Sequence, residues 1–103
     1  MNALRLDQKE LDLICRIFRD FFLRDDKIWI FGSRVNPNAK GGDIDLYIET
    51  EYKSPKEIIE ARLKFLAALK IQTGDQKIDV IVKYGNNLLP IYEVAQKEGV
   101  RLI

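Results

Sequence analysis

The sequence contains no histidine and a single cysteine, Cys15. Without histidine there can be no serine–histidine–aspartate triad, no usual zinc site and no histidine general base. One cysteine forms no internal disulfide. On the apolar side of a predicted helix, Cys15 is expected to be a buried small hydrophobe. Long apolar runs are also missing, and none approaches the roughly 20 residues that a membrane span needs. Residues 1–10 alternate polar and apolar instead of forming a signal-peptide pattern, so the expected compartment is the cytoplasm. Charge of one sign is lacking too. Lys plus Arg number 17 against 16 for Asp plus Glu, a net charge of +1, and the two signs are interspersed. That argues against a broad nucleic-acid surface. Metal chemistry here must rest on carboxylates, which favours hard cations such as magnesium or manganese.

The chain has 103 residues, which predicts a single small domain over 1–103. A chain of this length buries about 60–70% of the surface its unfolded form exposes. A deep substrate cleft would need walls from a partner or a second copy, so a homo- or hetero-oligomer is expected.

Leu11, Ile14, Cys15, Phe18, Phe21 and Phe22 recur at three- and four-residue steps, predicting a helix over Asp7 to Leu23. Lys27 to Phe31 reads as a strand that Gly32 ends. Ser33 to Gly42 reads as a surface loop or a short helix plus loop. Asp43 to Glu49 alternates as a strand, with Ile44, Leu46 and Ile48 on one face and Asp43, Asp45 and Tyr47 on the other. Ser54-Pro55-Lys56-Glu57 is a helix start with a cap, a proline in the first turn and a capping box. Ile58, Ile59, Leu63, Leu66 and Leu69 form the expected apolar stripe of that helix. Lys77 to Val82 predicts a third strand. Asn86-Asn87 can cap a last helix over Leu88 to Lys97, which Gly99 closes before a short final strand, Val100 to Ile103. The fold class is therefore α+β: a small mixed sheet of three to four strands with helices packed on one face. The first two strands are expected to pair.

Three features carry chemistry. Asp43 and Asp45 lie two apart on a strand, on the same face with Cα atoms about 6.6 Å apart. Two acids so close repel each other, and a divalent cation offsets that cost. Asp79 stands in an otherwise apolar strand, where a buried acid is rare unless paired or bound to metal. If its strand lies beside the first acidic one, three carboxylates converge. Gly32 and Ser33 follow a strand, where a glycine lets the backbone approach a ligand and the serine offers a hydroxyl and an N–H to a phosphate. Arg34 and Lys40 can add positive charge toward a triphosphate. Each signal alone is weak, since a lone Asp-x-Asp is usually two solvated acids and a lone Gly-Ser a turn. Their order and placement make the combination specific.

Phe31-Gly32-Ser33-Arg34, then Gly42-Asp43-Ile44-Asp45-Leu46, then Ile78-Asp79-Val80 resemble the nucleotidyltransferase superfamily typified by DNA polymerase beta. Within it, the chain resembles the minimal nucleotidyltransferases. Nine residues separate Ser33 from Asp43, one fewer than is usual in the minimal proteins. The resemblance implies the polymerase beta-like fold and two magnesium or manganese ions held by Asp43, Asp45 and Asp79. It implies ATP or another nucleoside triphosphate as substrate, with Gly32, Ser33 and Arg34 as nucleotide-binding residues. A hydroxyl would attack the α-phosphate in line and release pyrophosphate. Minimal nucleotidyltransferases often accompany a helical HEPN-type protein as the antitoxin of a toxin–antitoxin pair, and some transfer AMP onto a tyrosine of that toxin. The resemblance thus implies a protein adenylyltransferase. Two alternatives stand beside it: an antitoxin that neutralises its partner by contact alone, and transfer to a small molecule or nucleic-acid end.

Among the aromatics, Trp29 and Phe31 are expected in the core and Tyr47 as filler on the aspartate face. Tyr84 and Tyr92 are candidate partner contacts.

Overall fold

The computed structural model of the protein describes residues 8–32, 44–74, 77–83 and 89–103. In helix α1, Gln8–Phe21, the buried residues are Leu11, Ile14, Ile17 and Phe18. Their three-and-four spacing is the physical reason this segment is helical: one stripe can be withdrawn from water. Cys15 is only half-buried and is a free thiol, a correction to its expected burial. Ile17, two residues along and so on another side of the helix, is buried instead. Burial still pushes the Cys15 thiol above its ordinary pKa, so it stays protonated at neutral pH.

Strand β1 spans Lys27–Phe31 and β2 spans Ile44–Glu49. They pair antiparallel, with Ile28 opposite Ile48 and Phe31 opposite Asp45. Helix α2, Pro55–Thr73, begins as the sequence predicts. Ser54 is extended at φ −101°, its hydroxyl accepts the Glu57 N–H at 3.1 Å, and Pro55 opens the first turn. Strand β3, Ile78–Val82, then pairs parallel with β2. Parallel neighbours need a crossover, and α2 supplies it. Helix α3, Pro90–Glu98, follows, starting two residues later than expected. Its N-cap is Leu89, with no side-chain cap; Asn86 and Asn87 lie outside the described residues. Strand β4, Val100–Arg101, pairs antiparallel with β1. The sheet order is β3-β2-β1-β4, mixed and four-stranded. Gly99 joins α3 to β4 where a Cβ would collide with the Ala95 carbonyl oxygen and come within 2.9 Å of that of Ile30. Close backbone approach is what demands glycine there.

The main core lies between the sheet and two helices. Ile28, Ile30, Ile44, Leu46, Ile48, Ile78 and Val80 meet Leu11, Ile14, Phe18 and Phe22 from the α1 side and Ala61, Phe65 and Leu69 from α2. Phe65 closes this core edge-on against Phe18 and Phe22, at ring separations of 6.0 and 5.7 Å. The expected packing on one face holds for α1 and α2. Helix α3 lies on the opposite face, where Tyr92 and Ala95 cover Phe31 and Tyr47. The expected stripe of α2 is corrected as well. Ile58, Ala61, Phe65 and Leu69 point inward, while Ile59 and Leu63 are exposed. At the edge of the sheet, the Arg62 Nε–H donates to the Val80 carbonyl of β3 at 2.9 Å. No helix among the described residues is long and apolar enough to cross a membrane.

The sequence gives no sign of the role of Asp26, which is 2% exposed. Its Oδ2 accepts the Leu23 N–H at 2.8 Å and the Thr50 hydroxyl at 2.6 Å, and its Oδ1 accepts the Glu51 N–H at 2.7 Å. One carboxylate thus ties the end of α1 to the chain leaving β2. Asp26→Ala strands two backbone donors and a hydroxyl, and bonds to a charged acceptor are worth about 1.5–3 kcal/mol each. Because the three are not additive, a loss of about 3 kcal/mol in unfolding free energy is expected by urea titration. A loss below about 1 kcal/mol would show that water replaces the carboxylate freely.

Candidate active site

The site is built where β1 ends. Phe31 is paired with Asp45, and Gly32 leaves the strand at φ 76°. A Cβ on Gly32 would run into Asp45 Oδ2 and stand 3.1 Å from its Cγ. Glycine is required twice over, by a left-handed conformation and by the carboxylate beneath it.

Strand alternation decides which way the acids point. In β2, Ile44, Leu46 and Ile48 join the main core, so Asp45, Tyr47 and Glu49 face the other side. In β3, Ile78 and Val80 join the same core, which turns Asp79 to the side of Asp45. The register pairs Asp45 with Asp79 directly. Neighbouring strands lie about 4.8 Å apart and aligned residues project to the same face, so the two carboxylates stand side by side.

Asp45 is half-buried and Asp79 is exposed. The sequence-based expectation of a buried Asp79 is therefore corrected. Its strand is at the edge of the sheet, and α1 and α2 cover only the opposite face there. Gly32, Asp45 and Asp79 are thus brought together. Ser33, Arg34, Lys40 and Asp43 lie outside the described residues. Among the described residues no group of three or more His, Cys, Asp or Glu is placed to hold a metal. The donor chemistry of the pair still fits a hard divalent cation. Both groups offer only oxygen, and their mutual repulsion is what such a cation offsets.

Two residues further along β2, the site has an aromatic floor. Tyr47 is fully buried, between Trp29 at 5.3 Å and Tyr92 at 5.5 Å. Tyr92 is therefore an internal packing residue, and Tyr84 lies outside the described residues. The Tyr47 hydroxyl donates to Glu49 Oε2 at 2.8 Å, and the same oxygen accepts from Gln96 Nε2 of α3. Burial, then the bond to the Glu49 carboxylate, push the Tyr47 phenol far above the ordinary tyrosine range. It stays protonated at neutral pH and cannot serve as a base. The spacing of Tyr47 and Glu49 on one strand face was a signal for this contact; nothing in the sequence singles out Gln96. Tyr47→Phe keeps the ring and loses one hydrogen bond to a charged acceptor, so it is expected to cost about 1.5–3 kcal/mol of stability. It should leave the activity of the carboxylates unchanged. A comparable stability with transfer abolished would instead give the hydroxyl a part in the chemistry.

The pairing of acids on two parallel strands, beside a glycine turn, is matched at the level of the whole chain. Residues 11–102 match the family described as nucleotidyltransferase domain. The chain belongs to this family. No curated protein matches it. Nucleotidyltransferases of this family generally use magnesium and a nucleoside triphosphate. Among the described residues, three helices and a four-stranded mixed sheet are compatible with the nucleotidyltransferase fold. In this nucleotidyltransferase domain the match spans α1 through β4, so it includes Gly32, Asp45 and Asp79.

Proposed function

We propose that this nucleotidyltransferase domain moves AMP from ATP to a hydroxyl of a protein partner, as the antitoxin of a helical HEPN-type toxin. In this reading Asp43, Asp45 and Asp79 would hold two magnesium or manganese ions, and Gly32, Ser33 and Arg34 would receive the phosphates. The observation that carries it is the direct pairing of Asp45 with Asp79 beside Gly32. When bound there, such cations would supply neutralisation of charge on the phosphates and on the entering and leaving oxygens. The chain's own contribution is placement. Asp45 and Asp79 are fixed on two hydrogen-bonded strands, so their spacing is set by the sheet and not by a loop. The exposed Asp79 is open to an incoming hydroxyl and is suited to accept its proton. Gly32 puts no Cβ over Asp45, so the space at that carboxylate stays open to a cation and the phosphates it would bind.

A protein acceptor is favoured by the surface beside these acids. Helix α3 packs on the same face of the sheet, and its N-cap Leu89 and its residues Ile91 and Val94 are exposed. Exposed apolar side chains on the same side of the sheet as the acids are what a protein surface would cover. The test is incubation of the protein with labelled ATP, magnesium and the helical partner. Label on the partner, lost in an Asp45→Asn, Asp79→Asn double variant, is the expected outcome. If the double variant neutralises the partner as well as wild type does, contact alone is sufficient and the catalytic reading is wrong.

A further inference from the structure

The outer side of α2 has a pattern that the core does not use. Ile59, Leu63, Ala67 and Ile71 follow one another at four-residue steps and form one ridge along the helix. All four face away from the domain, with Ile59 at 55%, Leu63 at 53% and Ile71 at 80% exposure. An amphipathic surface helix should carry polar residues there. This one is apolar on both sides, and a contiguous exposed apolar stripe marks an interaction surface.

We infer that this ridge is the interface of a two-fold dimer, with α2 of one copy packed antiparallel on α2 of the other. The pattern is self-complementary about Phe65. An antiparallel pairing centred there puts Ile59 opposite Ile71 of the partner copy and Leu63 opposite Ala67 of the partner copy, large against small. The same register sets Glu60 opposite Lys70 of the partner copy, twice by symmetry. A two-fold interface must match a patch with itself, and residue i meeting j while j meets i is what such symmetry demands. A parallel arrangement would place Glu60 against Glu60 and Leu63 against Leu63. The acid near the start of the helix and the base near its end thus select the antiparallel alignment.

The ridge lies on the far side of the sheet from Asp45 and Asp79, because α2 covers the opposite face. Both sites stay open in the dimer. The contact is one helix per copy, well below the roughly 2,000 Å² or more of obligate dimers, so association is reversible and concentration-dependent.

Sedimentation equilibrium of the full chain, from about 1 to 500 μM, tests this directly. A monomer of 12.0 kDa should give way to a species of twice that mass. Leu63→Glu should remain monomeric throughout while keeping a wild-type circular dichroism spectrum, since the side chain is exposed. Glu60→Lys and Lys70→Glu should each weaken the dimer, more at low salt than at high salt, and the double exchange should restore it. Wild type that stays monomeric across the range overturns the proposal and leaves the ridge to a different protein. So does a Leu63→Glu dimer as tight as wild type. Failure of the double exchange to restore association rejects the antiparallel register.

Discussion

An Asp45→Asn or Asp79→Asn variant should be folded like wild type and transfer nucleotide on the order of 10³-fold more slowly. The expectation follows from what the substitution removes. Asn keeps the shape and the neutral oxygen but discards the charge that holds a divalent cation. Cation stabilisation of a transferring phosphoryl group is worth several kcal/mol, and each 1.36 kcal/mol is tenfold in rate. Asp79 is exposed and Asp45 is only half-buried, and Asn is polar and of the same size, so neither substitution brings a large penalty to the fold. The acids also repel each other, so loss of the Asp79 charge should leave stability unchanged or slightly raised. Rate and unfolding midpoint therefore move apart, which separates loss of chemistry from loss of structure. Magnesium titration adds a second readout: the ion concentration for half-maximal rate should rise in both variants. Wild-type rates in either variant would remove that acid from the mechanism.

The second large effect is expected at Gly32. Gly32→Ala introduces a Cβ where Asp45 Oδ2 now stands, at a φ of 76°. The left-handed conformation costs an alanine about 1–2 kcal/mol. The contact cannot be relieved cheaply, because the Asp side chain is short and its Cγ is only 3.1 Å from the new atom. The carboxylate must turn away, and a displacement of about 1 Å at a reacting centre can cost about 10²-fold in rate. Transfer should thus fall by about that factor or more, while a modest fall in stability appears in the urea midpoint. A Gly32→Ala enzyme with full activity would show that the Asp45 carboxylate need not occupy its present position. Full loss of folding would make the glycine structural, and the measured stability distinguishes these cases.

Much of this arrangement was legible in the sequence, and the parts that were not share one cause. The β2 face assignments followed from a period of two, because Ile44, Leu46 and Ile48 are apolar and their neighbours are not. The capped start of α2 was legible because Ser54, Pro55 and Glu57 act locally. Asp26 was not legible, since its partners Thr50 and Glu51 come from beyond β2. The inward face of α2 was hidden because apolar residues occur on nearly every side of that helix, so periodicity could not choose between Ile58–Ala61–Phe65–Leu69 and Ile59–Leu63. The exposure of Asp79 depends on strand order, which alternation does not encode. Packing of α3 on the far face was likewise a tertiary outcome, decided by Tyr92 and Ala95 against Phe31 and Tyr47.

The parallel ladder between β2 and β3 ties assembly of the reactive centre to the correctness of folding. Sliding β3 by a single residue would send Asp79 into the hydrocarbon interior and bring Ile78 or Val80 out to solvent. Such a misaligned molecule would be both inert and unstable. Ile78 and Val80, which touch no substrate in any reading, therefore act as alignment pins that keep Asp79 beside Asp45.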